Sequence, residues 1–122
     1  MDLGLKGRTA IVTAASRGLG LAAARSLARE GVHVTMNARS AEALEAAAAD
    51  IREEFGVEAT PIAADFNTPE GRDALIAANP SPDILVNNPG VRQVPTPYAE
   101  ITPEDWRYWL DVHFLSSVDM IQ

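Results

Sequence analysis

Four short apolar runs, at 8–14, 32–37, 57–64 and 83–88, recur along this chain, and a helix-length segment follows each of the first three. Strands set that far apart cannot close as tight hairpins, because the connecting segment has to cross back over the sheet before the next strand begins. The expected fold is therefore α/β: a Rossmann-type parallel sheet with helices on both faces, limited to about four strands in the order 3-2-1-4. The last run, Asp83-Ile84-Leu85-Val86-Asn87-Asn88, is apolar without alternation, as in a strand covered on both sides.

The intervening segments carry helix signals. Leu19, Ala23 and Leu27 fall at i, i+4 and i+8 in a helix expected over 18–30, which Gly31 ends. Ser40 is placed to cap a second helix from Ala41 to Glu54, stopped by Gly56, and a third is expected over 69–78. Thr102-Pro103-Glu104-Asp105-Trp106 opens a last helix with a capping hydroxyl, a proline at the first helical position and two carboxylates at the positive dipole end. Trp106, Leu110, His113, Phe114 and Ser117 share one face of it at helical spacing, so that face is expected to be buried.

The first strand-to-helix junction, Thr13-Ala14-Ala15-Ser16-Arg17-Gly18-Leu19-Gly20, is a turn of small residues. Such a junction aims free backbone N–H groups and a positive dipole end at one point, where a pyrophosphate can sit. Gly18 permits an unusual dihedral or a close approach of phosphate, and Gly20 permits tight helix packing. With Ala23 these glycines spell G-x-G-x-x-A, a variant of the dinucleotide-binding fingerprint. Thr13, Ala15, Ser16, Arg17, Gly18, Leu19 and Gly20 are thus the candidate cradle. The competing explanation is packing alone, since small residues are common wherever a helix crosses a sheet closely.

Composition bounds the remaining possibilities. The 122 residues suit one domain, 1–122, and 47% hydrophobic with 22% charged residues is ordinary for a soluble globular protein. There is no cysteine, hence no disulfide or thiolate chemistry. A net charge of -7 disfavours nonspecific nucleic-acid binding, which needs a basic face. No apolar run approaches bilayer length and the first residues lack a signal-peptide core, so no membrane partner is expected and the cytoplasm is the default location. His33, on the second strand, reads as structural or surface, and no metal-ligand spacing is present.

Thr13 to Gly20 resembles the Thr-Gly-x-x-x-Gly-x-Gly motif of the short-chain dehydrogenase/reductase family, with Ala14 in place of its first glycine, and Asn87-Asn88-Pro89-Gly90 resembles that family's Asn-Asn-Ala-Gly. The resemblance extends from the first strand to the tail after Trp106, over about the first half of a typical member. It implies that Asp65 and Phe66, closing the third strand, lie beside an adenine. It implies also that Asn88, Pro89 and Gly90 line the cofactor's ribose while Asn87 ties adjacent strands together. The family carries an apolar residue and then an asparagine in the last helix, where this chain has Val112 and His113. His113 is therefore a candidate catalytic residue in a proton relay, the competing reading being a core-facing histidine bonded to backbone.

The carboxylate that NAD-binding proteins present to the ribose lies about 20 residues beyond the glycines. Ala38 stands there, followed by Arg39 and Ser40, and Arg17 lies within the glycine turn. Two guanidinium groups with no carboxylate to repel a 2′-phosphate favour NADP(H) over NAD(H). The resemblance implies reversible hydride transfer with a small carbonyl or alcohol substrate, catalysed by a Ser and a Tyr-x-x-x-Lys pair. Neither tyrosine here begins such a pair: Thr102 follows Tyr98 by four residues and Val112 follows Tyr108. The chain is accordingly expected to be the cofactor-binding half of a reductase, inactive by itself. Two alternatives stay open: a non-catalytic nucleotide-binding or regulatory module, and a half completed by a partner chain. An open edge on the fourth strand favours a homo-oligomer over a monomer.

Overall fold

The computed structural model describes residues 1–88 and 96–122. Strand β1 (Thr9–Val12) leads through the small-residue turn into helix α1 (Gly18–Arg29), followed by β2 (His33–Ala38), α2 (Ala41–Phe55), β3 (Ala59–Ala63), α3 (Pro69–Ala78) and β4 (Ile84–Val86). The sheet runs β3-β2-β1-β4, and every pairing is parallel. Asp83 fastens the start of β4 to β1, because its carboxylate accepts the Thr9 N–H at 2.9 Å while its own N–H donates to the Thr9 carbonyl at 3.0 Å.

Side chains that alternate along the strands divide the core in two. Ala10, Val12, Val34 and Met36 pack with Ala24 and Ala28 of α1 and with Leu44, Ala48 and Ile51 of α2. Ile11 points the other way, into a smaller cluster with Phe66, Leu75 and Met120. The sheet is therefore the middle of three layers. Alanines at the α1 and α2 contacts bring those helices close to the strands, and fully buried Leu44 and Ile51 each contribute about 1.5–3 kcal/mol of hydrophobic stabilisation.

Beyond a 3-10 turn at Tyr98–Glu100 the chain forms α4 (Pro103–Leu110), a π-helical turn (Asp111–Leu115) and α5 (Ser116–Ile121). Thr102 caps α4 in a reciprocal box: its hydroxyl accepts the Asp105 N–H, and the Asp105 carboxylate accepts the Thr102 N–H. The face expected to be buried is not. Trp106, Leu110 and Phe114 are 50%, 55% and 59% exposed, and His113 is exposed too, whereas Val112, Ser116 and Met120 turn inward. α4 has no buried residue at all, and the inward stripe begins only within the π turn, at Val112.

Candidate functional site

The strand order reverses direction between β1 and β4, and in open parallel sheets a crevice forms at that point, outside the carboxyl ends of the strands. Thr13 and Asn88 occupy it. The Thr13 hydroxyl donates to the Val86 carbonyl at 3.3 Å and accepts the Asn88 N–H at 2.8 Å, which fixes the exits of the two strands relative to each other. Among the described residues no side-chain bond links Asn87 to a neighbouring strand. Its amide donates instead to the Ser117 carbonyl at 3.4 Å, and its Oδ1 is buried with no partner among the described residues.

The turn from Thr13 into α1 needs its small residues. Gly18 has φ +60°, a conformation that costs an ordinary side chain about 1–2 kcal/mol. Gly20 is required for space: a Cβ there would stand 2.1 Å from the Ala14 carbonyl oxygen and 2.9 Å from that of Thr13. The close approach is thus to the turn itself rather than to a neighbouring strand. Arg17 is the N-cap of α1 but makes no side-chain cap bond, and the first turn holds no acidic residue. Ser40, the expected cap of α2, makes none either. By contrast Thr68 and Thr102 cap α3 and α4. Of α1 to α4, the two with uncapped starts are the two that border one cleft of about 670 Å³.

Thr13, Ala14, Ser16, Arg17 and Gly18 form one wall of this cleft, and Asn37, Ala38, Arg39, Ser40 and Ala43 another. Ala64, Asp65, Phe66 and Asn67 close the far side, with Asn88 at the strand-four end. Arg17 and Arg39 are both exposed and form no ion pair among the described residues. Asp65 is a turn former: its Oδ1 accepts the Asn67 N–H at 2.9 Å, and its carbonyl accepts the Thr68 N–H and hydroxyl. Phe66 is 8% exposed and divides its ring between this wall and the smaller core cluster.

Several expected residues lie elsewhere. Ala15 is fully buried and its N–H is committed to the Asn37 carbonyl at 2.8 Å. Gly20 is buried behind the turn, and Leu19 projects outward at 82% exposure. Val112 is fully buried under the π turn, and exposed His113 neither borders the cleft nor faces the core. Pro89 and Gly90 lie outside the described residues. His33 is structural, its Nδ1 accepting the Glu58 N–H at 3.0 Å.

Asn37 was not foreseen. It is 1% exposed, and its amide donates to the carbonyls of Ile62 at 3.0 Å and Ala64 at 3.1 Å. One residue thereby holds the ends of β2 and β3 and, through its own carbonyl, the glycine turn. An asparagine near the carboxyl end of the second strand was its only sequence signal.

The sequence matches the short chain dehydrogenase family over residues 8–122. The chain belongs to that family. Among curated short-chain dehydrogenase relatives, an uncharacterized oxidoreductase of Bacillus subtilis, YvaG, is 37% identical over 119 residues, covering 97% of this chain and 45% of that protein. Gluconate 5-dehydrogenase of Gluconobacter oxydans is 38% identical over 106 residues, covering 84% of this chain and 41% of the enzyme. The structure of L-sorbose reductase from Gluconobacter frateurii, complexed with NADPH and L-sorbose, superposes with a TM-score of 0.90 at 36% identity over 98% of this chain and 47% of that one. The chain spans less than half the length of these relatives.

Proposed function

We propose that this chain is the coenzyme-binding part of an NADP(H)-dependent oxidoreductase that interconverts small carbonyl and alcohol compounds. The observation that carries the reading is the pairing of an uncapped, acid-free α1 N-terminus with two arginines on one cleft that form no ion pair among the described residues, and no carboxylate at the end of β2. Unsatisfied N–H groups at a helix start bind phosphate oxygens, and guanidinium groups bind phosphate by paired, charge-assisted hydrogen bonds. The residues present therefore fit a phosphorylated dinucleotide.

In this reading Ser16, Arg17 and Gly18 hold the pyrophosphate, with Gly20 keeping the turn closed behind them. Arg17 and Arg39, with Ser40, take the 2′-phosphate, and Ala38 leaves room for it. Asp65 and Phe66 border the adenine, and Asn88 the ribose of the nicotinamide half. When bound, NADPH supplies the hydride. No step is assigned to His113, which stands outside the cleft. The 122 residues contain no Tyr-x-x-x-Lys pair, so coenzyme binding is the property to test.

Titration calorimetry with NADPH and NADH provides that test. NADPH is expected to bind at least about tenfold more tightly, matching the charge-assisted bonds that a 2′-phosphate adds. Arg39→Ala should remove most of that difference while leaving NADH binding nearly unchanged. Equal affinities would overturn the NADP assignment, discrimination that survives the substitution would overturn the role of Arg39, and absence of binding by folded protein would overturn the function.

A further inference from the structure

Arg72 lies in the first turns of α3, outside the cleft, yet its side chain is only 9% exposed. Buried guanidinium groups need partners, and this one has two on different parts of the molecule. Its Nη1 donates to the Phe66 carbonyl at 3.0 Å, in a fully buried bond, and its Nε donates to the Asp119 carboxylate of α5 at 2.6 Å. Phe66 belongs to the cleft wall, so one side chain connects that wall to the last helix.

The wall has little freedom apart from this connection. Gly71, beside Arg72, abuts the Asp65 carbonyl so closely that a Cβ would stand 1.9 Å from its oxygen. The same carbonyl accepts the Thr68 hydroxyl at 2.9 Å, and Asn67 is held by the Asp65 side chain. Segment 65–68 is thus clamped against the start of α3, with Arg72 as the clamp's far anchor. Phe66 and Met120 also meet in the smaller core cluster, a second contact between the wall and α5.

Resting on the coenzyme reading above, we infer that Arg72 is a positioning residue: it holds the adenine-side wall of the cleft in its binding shape and couples occupation of that wall to the order of α5. Binding that tightens one end of the link tightens the other, because coupling free energies are reciprocal. The substitutions that expose this are Arg72→Met, which keeps the bulk and loses both bonds, and Asp119→Ala. Asp119 is 54% exposed, so its loss removes Arg72's bond to α5 without opening the core and leaves the Phe66–Met120 contact in place.

The probes are adenosine 2′,5′-bisphosphate for the adenine side and inorganic pyrophosphate for the glycine turn, the latter followed by the amide shifts of Gly18 and Gly20. Wild-type chain is expected to bind both, and the bisphosphate should slow hydrogen exchange in Ser116–Ile121. Arg72→Met should weaken the bisphosphate about tenfold, equivalent to about 1.4 kcal/mol, and leave pyrophosphate unchanged. Arg72→Lys should recover part of the loss. If Arg72→Met does not fold, Asp119→Ala decides: bisphosphate no longer slowing exchange in α5 supports the coupling. Slowing that persists in Asp119→Ala, or equal weakening of both probes in Arg72→Met, overturns it. A wild-type chain that binds neither probe removes the coenzyme reading and this inference together, a result distinct from failure of the variants alone.

Discussion

Ala14 has φ +50°, alone among the described non-glycine residues in the left-handed region, and it occupies the position where the family motif has glycine. An alanine there is strained by about 1–2 kcal/mol, partly offset because glycine would add freedom to the unfolded chain. Ala14→Gly should therefore raise unfolding stability by about 0.5–1 kcal/mol. Urea denaturation measures this as a higher midpoint at unchanged slope. A lower midpoint would mean that the alanine methyl makes packing contacts worth more than the strain it causes. Gly20 presents the opposite case, where the dihedral is ordinary and space decides: its missing Cβ is what lets α1 start against the Ala14 carbonyl.

Helix starts separate structural ends from those left available for binding. α3 and α4 are capped by threonine, whereas α1 and α2, which border the cleft, lack side-chain caps. Replacing the α1 N-cap, Arg17→Asp, supplies an acceptor and a negative charge, and should stabilise the fold by about 1 kcal/mol. The same charge would repel phosphate, so NADPH affinity should fall by at least about tenfold, against roughly 2 kcal/mol per charged hydrogen bond lost. Paired denaturation and calorimetry on the variant check both signs; loss of stability would overturn the capping argument, and retained affinity would remove α1 as the phosphate site. Strand order and helix succession were legible because each depends on local period and spacing. The inward face of the last helix was not, because which side a helix buries is set by what packs against it, and α4 buries none of its residues. Asn37 and Arg72 escaped notice for another reason: Asn37 is held by backbone carbonyls 25 and 27 residues away, and Arg72 by the Asp119 carboxylate 47 residues away together with the Phe66 carbonyl, and no residue pattern marks such partners.

The two outer strands of the four-stranded sheet formed by these 122 residues differ. On β3, Pro61 lies opposite Met36 and has no N–H to offer, a feature suited to an outer strand. On β4, Ile84, Leu85 and Val86 carry neither proline nor charge, and among the described residues the strand pairs only with β1. Apolar surface accumulates on α4 and beyond it, where Trp106, Tyr108, Leu110, Phe114 and Leu115 are each about half exposed. An unblunted edge and an uncovered apolar face both favour association, whereas a net charge of -7 opposes it at long range and weakly at physiological salt. The 122-residue chain should therefore sediment as species larger than 13.0 kDa, with a weight-average mass that rises with protein concentration and with added salt. Leu110→Lys, at a position 55% exposed, should shift the distribution toward monomer without lowering the denaturation midpoint. A 13.0 kDa species that persists through concentration and salt series would show that neither the edge nor the face recruits a second copy.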